Sequence, residues 1–303
     1  MPHIPVMTTE VLEYLLWDYA GKYVDCTLGD GMHSKAILRI IGPHGGSILG
    51  LDRDPRALDS ARSNLSNHIN QVELALSTFG EMESKILDKK EKPYSGFLFD
   101  LGLNSSRLKN ADDGFSYMID GPLDMRMSPH DRLTAARIVN DFPEKQLADL
   151  LFRNSDERFS RKIAKAIAGY RQKNSIQTTY QLRDIIYGVV KGYQRLKSVA
   201  RCFQALRIAV NNELEELKNG LPAAFMHLQS GGRLVVISYH SIEDRIVKGF
   251  LRDNRLPRRA AEGKYLKILT PKPVRPTADE QSVNPAARSA RLRAAEMVIV
   301  SNG

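Results

Sequence analysis

Val24-Asp25-Cys26-Thr27-Leu28-Gly29-Asp30-Gly31 joins an apolar run to a helix-forming stretch through a Gly-x-Gly turn. Glycine at the carboxyl end of a strand lets backbone approach a ligand closely, because no Cβ stands in the way. The next apolar run ends in Gly50-Leu51-Asp52-Arg53-Asp54. Asp52 falls where a carboxylate meets a ribose diol in nucleotide-type sites, though an ordinary strand-end carboxylate is the plainer reading. A full dinucleotide fingerprint needs a third glycine at position 34, where Ser34 stands. That disfavours a dehydrogenase and leaves a nucleoside cofactor with no pyrophosphate to cradle, such as S-adenosylmethionine. A third run is followed by Ser77-Thr78-Phe79-Gly80, and a fourth ends in Asp100-Leu101-Gly102. Phe79 either stacks on an adenine face or belongs to the core. Asp100 heads a polar loop, where a carboxylate can accept from a ligand's amine or amide.

The elements that must carry these residues follow from the apolar pattern. Strands are expected at Tyr23–Thr27, Ser47–Leu51, Gln71–Leu76 and Phe97–Leu101. Helices are expected between them at Ser34–Ile41, Pro55–Leu65 and Glu81–Leu87. Strands alternating with helices imply a parallel sheet covered on both faces, with ligands at its carboxyl edge. The alternation stops near Leu108; loop and then helices run to Ala200. It resumes with one long helix over Arg201–Asn219, a strand at Arg233–Ser238 and a helix at Ile242–Leu251. Apolar runs follow at Tyr265–Leu269 and Met297–Val300, with the Pro-rich basic stretch Pro271–Pro276 as a surface loop between them. The expected fold class is an α/β doubly wound sheet interrupted by an inserted, mostly helical domain.

Charge separates along the chain. Residues 153–201 hold 12 Lys and Arg against 3 Asp and Glu, and residues 255–293 hold 10 against 3. The rest holds 22 against 29, so two basic tracts are attached to an acidic body with an overall charge of +9. A polyanionic partner and a pair of solvated helical faces both fit that distribution. No run of 18 apolar residues is present, so no membrane span is expected. The first turns carry Glu10, Glu13 and Asp18 without a basic start, which argues against a secretory signal. Cys26 and Cys202 form no CxxC pair, so neither a disulfide nor a metal site is expected, and a reducing cytoplasm is.

Longer motifs resemble one family nearly end to end. They are His3-Ile4-Pro5-Val6-Met7 with Glu10-Val11-Leu12, the turn from Asp25 to Ser34, Asp52-Arg53-Asp54-Pro55 and Asp100-Leu101-Gly102. Gly114-Phe115-Ser116-Tyr117, Asp120 to Met127, Glu157-Arg158 and Ile163 to Ile167 continue the match. Phe203 to Leu214, Ile237 to Lys248, Asn284-Pro285 and Arg288 to Arg293 complete it. In these the chain resembles the bacterial 16S ribosomal RNA cytosine-N4-methyltransferases, enzymes that use S-adenosylmethionine. The resemblance implies a class I methyltransferase (Rossmann-like) sheet. Its catalytic, cofactor-binding domain is expected over 1–107 and 201–303, with an inserted substrate domain over 108–200. It carries cofactor roles onto Gly29, Gly31, Met32, His33, Asp52, Phe79, Asp100 and Arg107. The chain departs from the family pattern at Met32, in the loop Asn104-Ser105-Ser106-Arg107, over Lys197 to Ala200 and at Ala286.

Cytosine N4 is a poor nucleophile because its lone pair is delocalised into the ring. Acceptors on the amine can draw density onto nitrogen, and one can take the proton. Asn104 and Ser105 are candidates by location, Asp124 and His240 by motif density. Asp124 pairing with Arg126, and His240 capping the helix at Ser241, are the structural readings beside those. Phe115, Tyr117 and Tyr239 are candidates for a platform under an extruded base, and each also reads as core. Phosphate contacts are expected from Arg158, Arg161, Lys162 and Lys165, and from Arg288, Arg291 and Arg293. The expected partner is 16S ribosomal RNA in the small ribosomal subunit, with a homodimer left open. Competing readings are a catalytically impaired ribosomal RNA-binding assembly factor of the same fold, and a nicotinamide dehydrogenase. RNA binding is expected to fall steeply with salt, and charge reversal within 288–293 to weaken it while cofactor affinity holds.

Overall fold

The computed structural model describes residues 5–85, 93–103 and 105–301. Its strands are β1 (Lys22–Asp25), β2 (Ser47–Asp52), β3 (Val72–Leu76), β4 (Tyr94–Asp100), β5 (Leu228–Ser238), β6 (Gly263–Ile268) and β7 (Arg291–Val300). They form one sheet in the order β3-β2-β1-β4-β5-β7-β6. The first five pair in parallel, and β7 runs antiparallel to both β5 and β6. This is the class I methyltransferase sheet.

Strand side chains alternate between faces, so the sheet carries two cores. Val24, Phe97, Phe99, Leu234 and Val236 lie in one core, and Tyr23, Leu98, Val235 and Ile237 in the other. Helices α1 (Thr8–Leu15), α2 (Met32–Ile41) and α3 (Pro55–Asn64) supply apolar residues to the second core. Asp54 starts α3 by accepting from the Arg56 N–H at 3.0 Å, with Pro55 in the first turn.

Contacts divide the chain into one unit of 1–102 with 214–303 and another of 103–213. The second is helical: α5 (Ser105–Lys109), α6 (Ala135–Asp141), α7 (Glu144–Ser155), α8 (Ser160–Arg171), α9 (Thr179–Val189) and α10 (Gln194–Asn211). Its own core includes Ile138, Leu147, Ile163, Leu182, Phe203 and Leu206. The sequence boundary at 200/201 lies inside α10, and this division places the whole of that helix in the second unit. The chain then continues through α11 (Glu213–His227), α12 (Ser241–Asp253) and α13 (Ala278–Val283). Within the sheet unit, Met82 of α4 (Met82–Lys85) joins Leu217 and Leu221 of α11 and Val247 of α12 in the first core.

Three sequence expectations change. The helix foreseen over 201–219 is two helices, broken at Asn212, whose φ is 53°. The break lets buried Asn211 hold a distant loop: its amide accepts from the Met127 N–H at 2.7 Å and donates to the Met125 carbonyl at 2.8 Å. The last strand begins at Arg291, well before the apolar run at 297, because its first residues pair with Ser238, Ile237 and Val236 of β5. Helices α1 and α13 were not foreseen. No helix of the described residues is long and apolar enough to cross a membrane.

The loop before α6 is closely packed. Gly114 has φ +68°, and a Cβ there would lie 2.1 Å from the Pro122 carbonyl oxygen. Gly114→Ala is expected to cost at least about 2 kcal/mol. A urea midpoint equal to the parent's would show that the loop does not need glycine.

Candidate functional site

Strands β1 and β4 are neighbours, yet β1 leads to β2 on one side and β4 is followed by β5 on the other. Such a switch point opens a crevice at the carboxyl edge. Asp25 ends β1 and Asp100 ends β4, and the Asp100 N–H donates to Thr27 Oγ1 at 2.6 Å across the gap. Asp25 is buried and accepts from Ser34 Oγ at 2.7 Å and from the Thr27 N–H at 3.2 Å. Burial raises its carboxyl pKa, and the Ser34 bond only partly opposes that. The side chain at the missing third-glycine position is thus a donor to the end of β1.

Gly29 and Gly31 both have positive φ, 51° and 76°. A Cβ on Gly31 would come within 3.1 Å of Leu65 Cδ1 and 3.2 Å of Ala61 Cβ. Asp52, at the end of β2, accepts from the Gly29 N–H and the Asp54 N–H, each at 2.9 Å. Burial pushes its carboxyl up to about 6, against those two hydrogen bonds. Half-buried Phe79 lies edge-on to Phe99 at 5.5 Å between centroids.

Half-buried Met32 opens α2, and His33 follows it, 7% exposed. His33 Nε2 lies 3.4 Å from Asp100 Oδ2, an ionic contact rather than an aligned hydrogen bond. Both ring nitrogens are buried without a hydrogen-bond partner among the described residues. Burial alone would lower the His33 pKa, but the Asp100 carboxylate outweighs it and the net shift is upward. Tyr239, just past β5, donates to Asp100 Oδ1 at 2.8 Å. Burial and Asp100 together hold that phenol well above its ordinary range. The cluster fits a small cationic ligand with a diol. It offers carboxylates at the ends of β2 and β4 beside the buried one that ends β1, a turn of two positive-φ glycines, and a histidine with unmet hydrogen-bonding capacity.

The remaining expected site residues divide. Asn104 lies outside the described residues, as does the side chain of Ser105. Asp124 is gripped by Arg126 through two bonds of 2.8 Å; burial raises its carboxyl, but the hydrogen bonds and charge of Arg126 together outweigh that and hold it below its ordinary value. His240 caps α12, its Nδ1 accepting from the Glu243 N–H at 3.3 Å while Glu243 reaches back to the His240 N–H. Both side chains hold backbone, as their structural readings had it. Arg107 is buried in the helical unit and donates to Asp113, to the Met127 carbonyl at 2.8 Å and to the Arg126 carbonyl at 2.7 Å. All three of its nitrogens are engaged there, which argues against the rim role expected of it. Phe115 is buried beneath Arg107, and Tyr117 packs edge-on to Phe203.

The expected phosphate contacts divide too. Arg158, Arg161, Lys162 and Lys165 are exposed at and along α8, and Arg288 is exposed. Arg293 is not: it is 8% exposed and bonded to Asp244 of α12 at 2.7 Å, with Arg291 on the same carboxylate at 3.3 Å. Charge reversal at 291 or 293 would therefore break the fold before it tested RNA binding. The exposed cations of the late tract are Arg255, Arg258, Arg259, Lys267, Lys272 and Arg275, with Arg288. Sequence reading missed Asp25 as a site residue, although its place directly before the glycine turn marked it.

A family profile described as the MraW methylase family matches residues 1–298. A protein from Dehalococcoides mccartyi named ribosomal RNA small subunit methyltransferase H is 42% identical, over 98% of this chain and 87% of its own. One of the same name from Syntrophobacter fumaroxidans is 42% identical over 98% of this chain and 96% of its own. Another, from Geobacter sulfurreducens, is 44% identical over 97% and 98%.

Three outcomes follow from the geometry. With Asp52 ionised above about pH 6 and protonated below it, S-adenosylmethionine affinity is expected to weaken as pH falls through that value. Asp52→Asn is expected to weaken it by roughly tenfold or more at pH 7.5. Calorimetric titration checks both, and a flat pH profile would remove Asp52 from the site. Asp244→Ala strands buried Arg293 and is expected to cost about 3 kcal/mol in urea unfolding. Burial raises the Asp244 carboxyl, but Arg293 and Arg291 outweigh it and hold it below 3.8. Its contribution is therefore full above that value and lost as pH falls through the lower folded value. A variant as stable as the parent at neutral pH would contradict the pairing.

Proposed function

The chain belongs to the MraW methylase family, and from that we propose that it methylates the exocyclic N4 amine of a cytidine in 16S ribosomal RNA of the small subunit, using S-adenosylmethionine. The observation that carries this reading is the meeting of the Gly29–Gly31 turn, Asp52 and Asp100 at one switch-point crevice. When bound, S-adenosylmethionine supplies an electrophilic methyl group on a sulfonium.

The chain's own residues then have distinct tasks. Gly29 and Gly31 keep side chains out of the turn. Asp52 accepts from a ribose diol, with both of its oxygens already oriented by backbone N–H groups. Asp100 presents acceptor oxygens to an amine, and Tyr239 and Thr27 fix its position. The negative charge of this edge complements a cationic donor. Phe79 offers an aromatic surface beside it. Asp124 and His240 act as positioning residues through the backbone they hold. Exposed cations on α8 and in the late basic tract meet phosphate and make binding salt-dependent. The work is cytoplasmic, where small subunits are.

The test is incubation of the full chain with labelled S-adenosylmethionine and small ribosomal subunits from a strain lacking this gene, followed by nucleoside mass spectrometry. Label in N4-methylcytidine is expected. Label in another nucleoside would refute the target, and no label would refute the activity.

A further inference from the structure

Helix α9 carries Tyr180, Arg183 and Tyr187 at helical spacing on one face, while Leu182 and Ile186 are buried on another. The Arg183 guanidinium carbon lies 3.6 Å from the centroid of the Tyr180 ring and 5.8 Å from that of Tyr187. Arg195, at the start of α10, lies 4.7 Å from the Tyr187 ring and donates to the Tyr187 carbonyl at 2.9 Å. Aromatic and guanidinium groups thus alternate as a ladder within the helical unit. Beside it, Tyr193 is 81% exposed, with the Lys197 ammonium 5.8 Å from its ring. Packing within the helical unit accounts for Tyr180, whose hydroxyl donates to the Met118 carbonyl at 3.0 Å, and for Tyr187, which lies against the unit's core. It does not account for a ring as exposed as Tyr193, in a turn where Gly192 has φ +66°.

From 180 to 197 the chain has four cations, Arg183, Lys191, Arg195 and Lys197, and one carboxylate, Asp184. Unpaired bases stack on aromatic and guanidinium planes, and the intervening phosphates need cations. A duplex keeps its bases stacked on one another and cannot use such planes. We propose that this face, Tyr180–Arg183–Tyr187–Arg195 with Tyr193 and Lys197, binds an unpaired stretch of RNA by base stacking. The proposal deepens the ribosomal RNA reading above and rests on it for the choice of RNA. None of these residues is among the expected phosphate contacts, and the face reaches the segment 197–200 where the chain departs from its family's pattern.

The test is fluorescence anisotropy of the full chain with a labelled oligouridine of about twelve nucleotides, and with an RNA duplex of equal length. The single strand is expected to bind more tightly than the duplex. Tyr193→Ala is expected to weaken single-strand binding at least about fivefold, with Tyr193→Phe retaining it. Arg195→Lys, which keeps the charge and loses the plane, is expected to weaken it as well. Unchanged S-adenosylmethionine affinity and thermal melting show that each variant is folded. Equal binding of duplex and single strand, Tyr193→Ala within about twofold of the parent, or full affinity in Arg195→Lys would each overturn the proposal. Methyl transfer to subunits with flat ladder variants would sink the ladder alone. Loss of oligouridine binding in the variants, without methyl transfer by the parent, would sink the enzymatic reading alone.

Discussion

Asp25, Asp52 and Asp100 end β1, β2 and β4 close enough for their charges to be felt along the edge. Burial raises the Asp25 and Asp52 carboxyls most, and to a smaller degree Asp100 raises that of Asp25 and Asp25 that of Asp52. Carboxylates gathered in a half-buried crevice repel one another and lose solvation, so each needs donors to stay. The chain supplies them locally: Ser34 and the Thr27 N–H for Asp25, two backbone N–H groups for Asp52, Tyr239 for Asp100. The turn at Gly29 to Gly31, the start of α2 and the end of β5 are all shaped by that demand. A ligand bearing positive charge relieves the same repulsion.

The helical unit solves a different problem. Its motif-dense loop contains three acidic or basic residues between 120 and 126, yet those side chains chiefly hold backbone. Asp120 accepts from the Gly121 and Tyr180 N–H groups, and Asp124 clamps Arg126. Arg126 in turn donates to the Asp131 carbonyl. Asn211 and Arg107 reach into the same loop from α10 and α5. Density of polar residues in a sequence motif here records the cost of folding an irregular segment, whose backbone groups must be satisfied one by one.

The parallel strands and their helices were legible because apolar alternation and glycine turns are local signals. Asp52 and Asp100 were legible for the same reason, each ending an apolar run. Three other features depended on partners that no local pattern announces. Arg291 and Arg293 read as free cations because Asp244, which neutralises them, is 47 and 49 residues away. Arg107 read as a rim residue because its acceptors include backbone carbonyls, which carry no signature in sequence. The break at Asn212 was hidden because both flanking segments are good helices. Only the hydrogen bonds of Asn211 to Met125 and Met127 reveal why they separate.

Strand β7 lies between β5 and β6 in the sheet but follows both in the chain. Among the described strands β6 pairs along its length with β7 alone, so its ladder waits for residues 291–300 to be made. The far edge of β5 waits as well. A nascent chain can pair β1 to β4 in turn, but it must hold two exposed strand edges until β7 has been made. Loss of β7 would therefore leave unpaired edges on both β5 and β6 rather than a slightly narrower sheet.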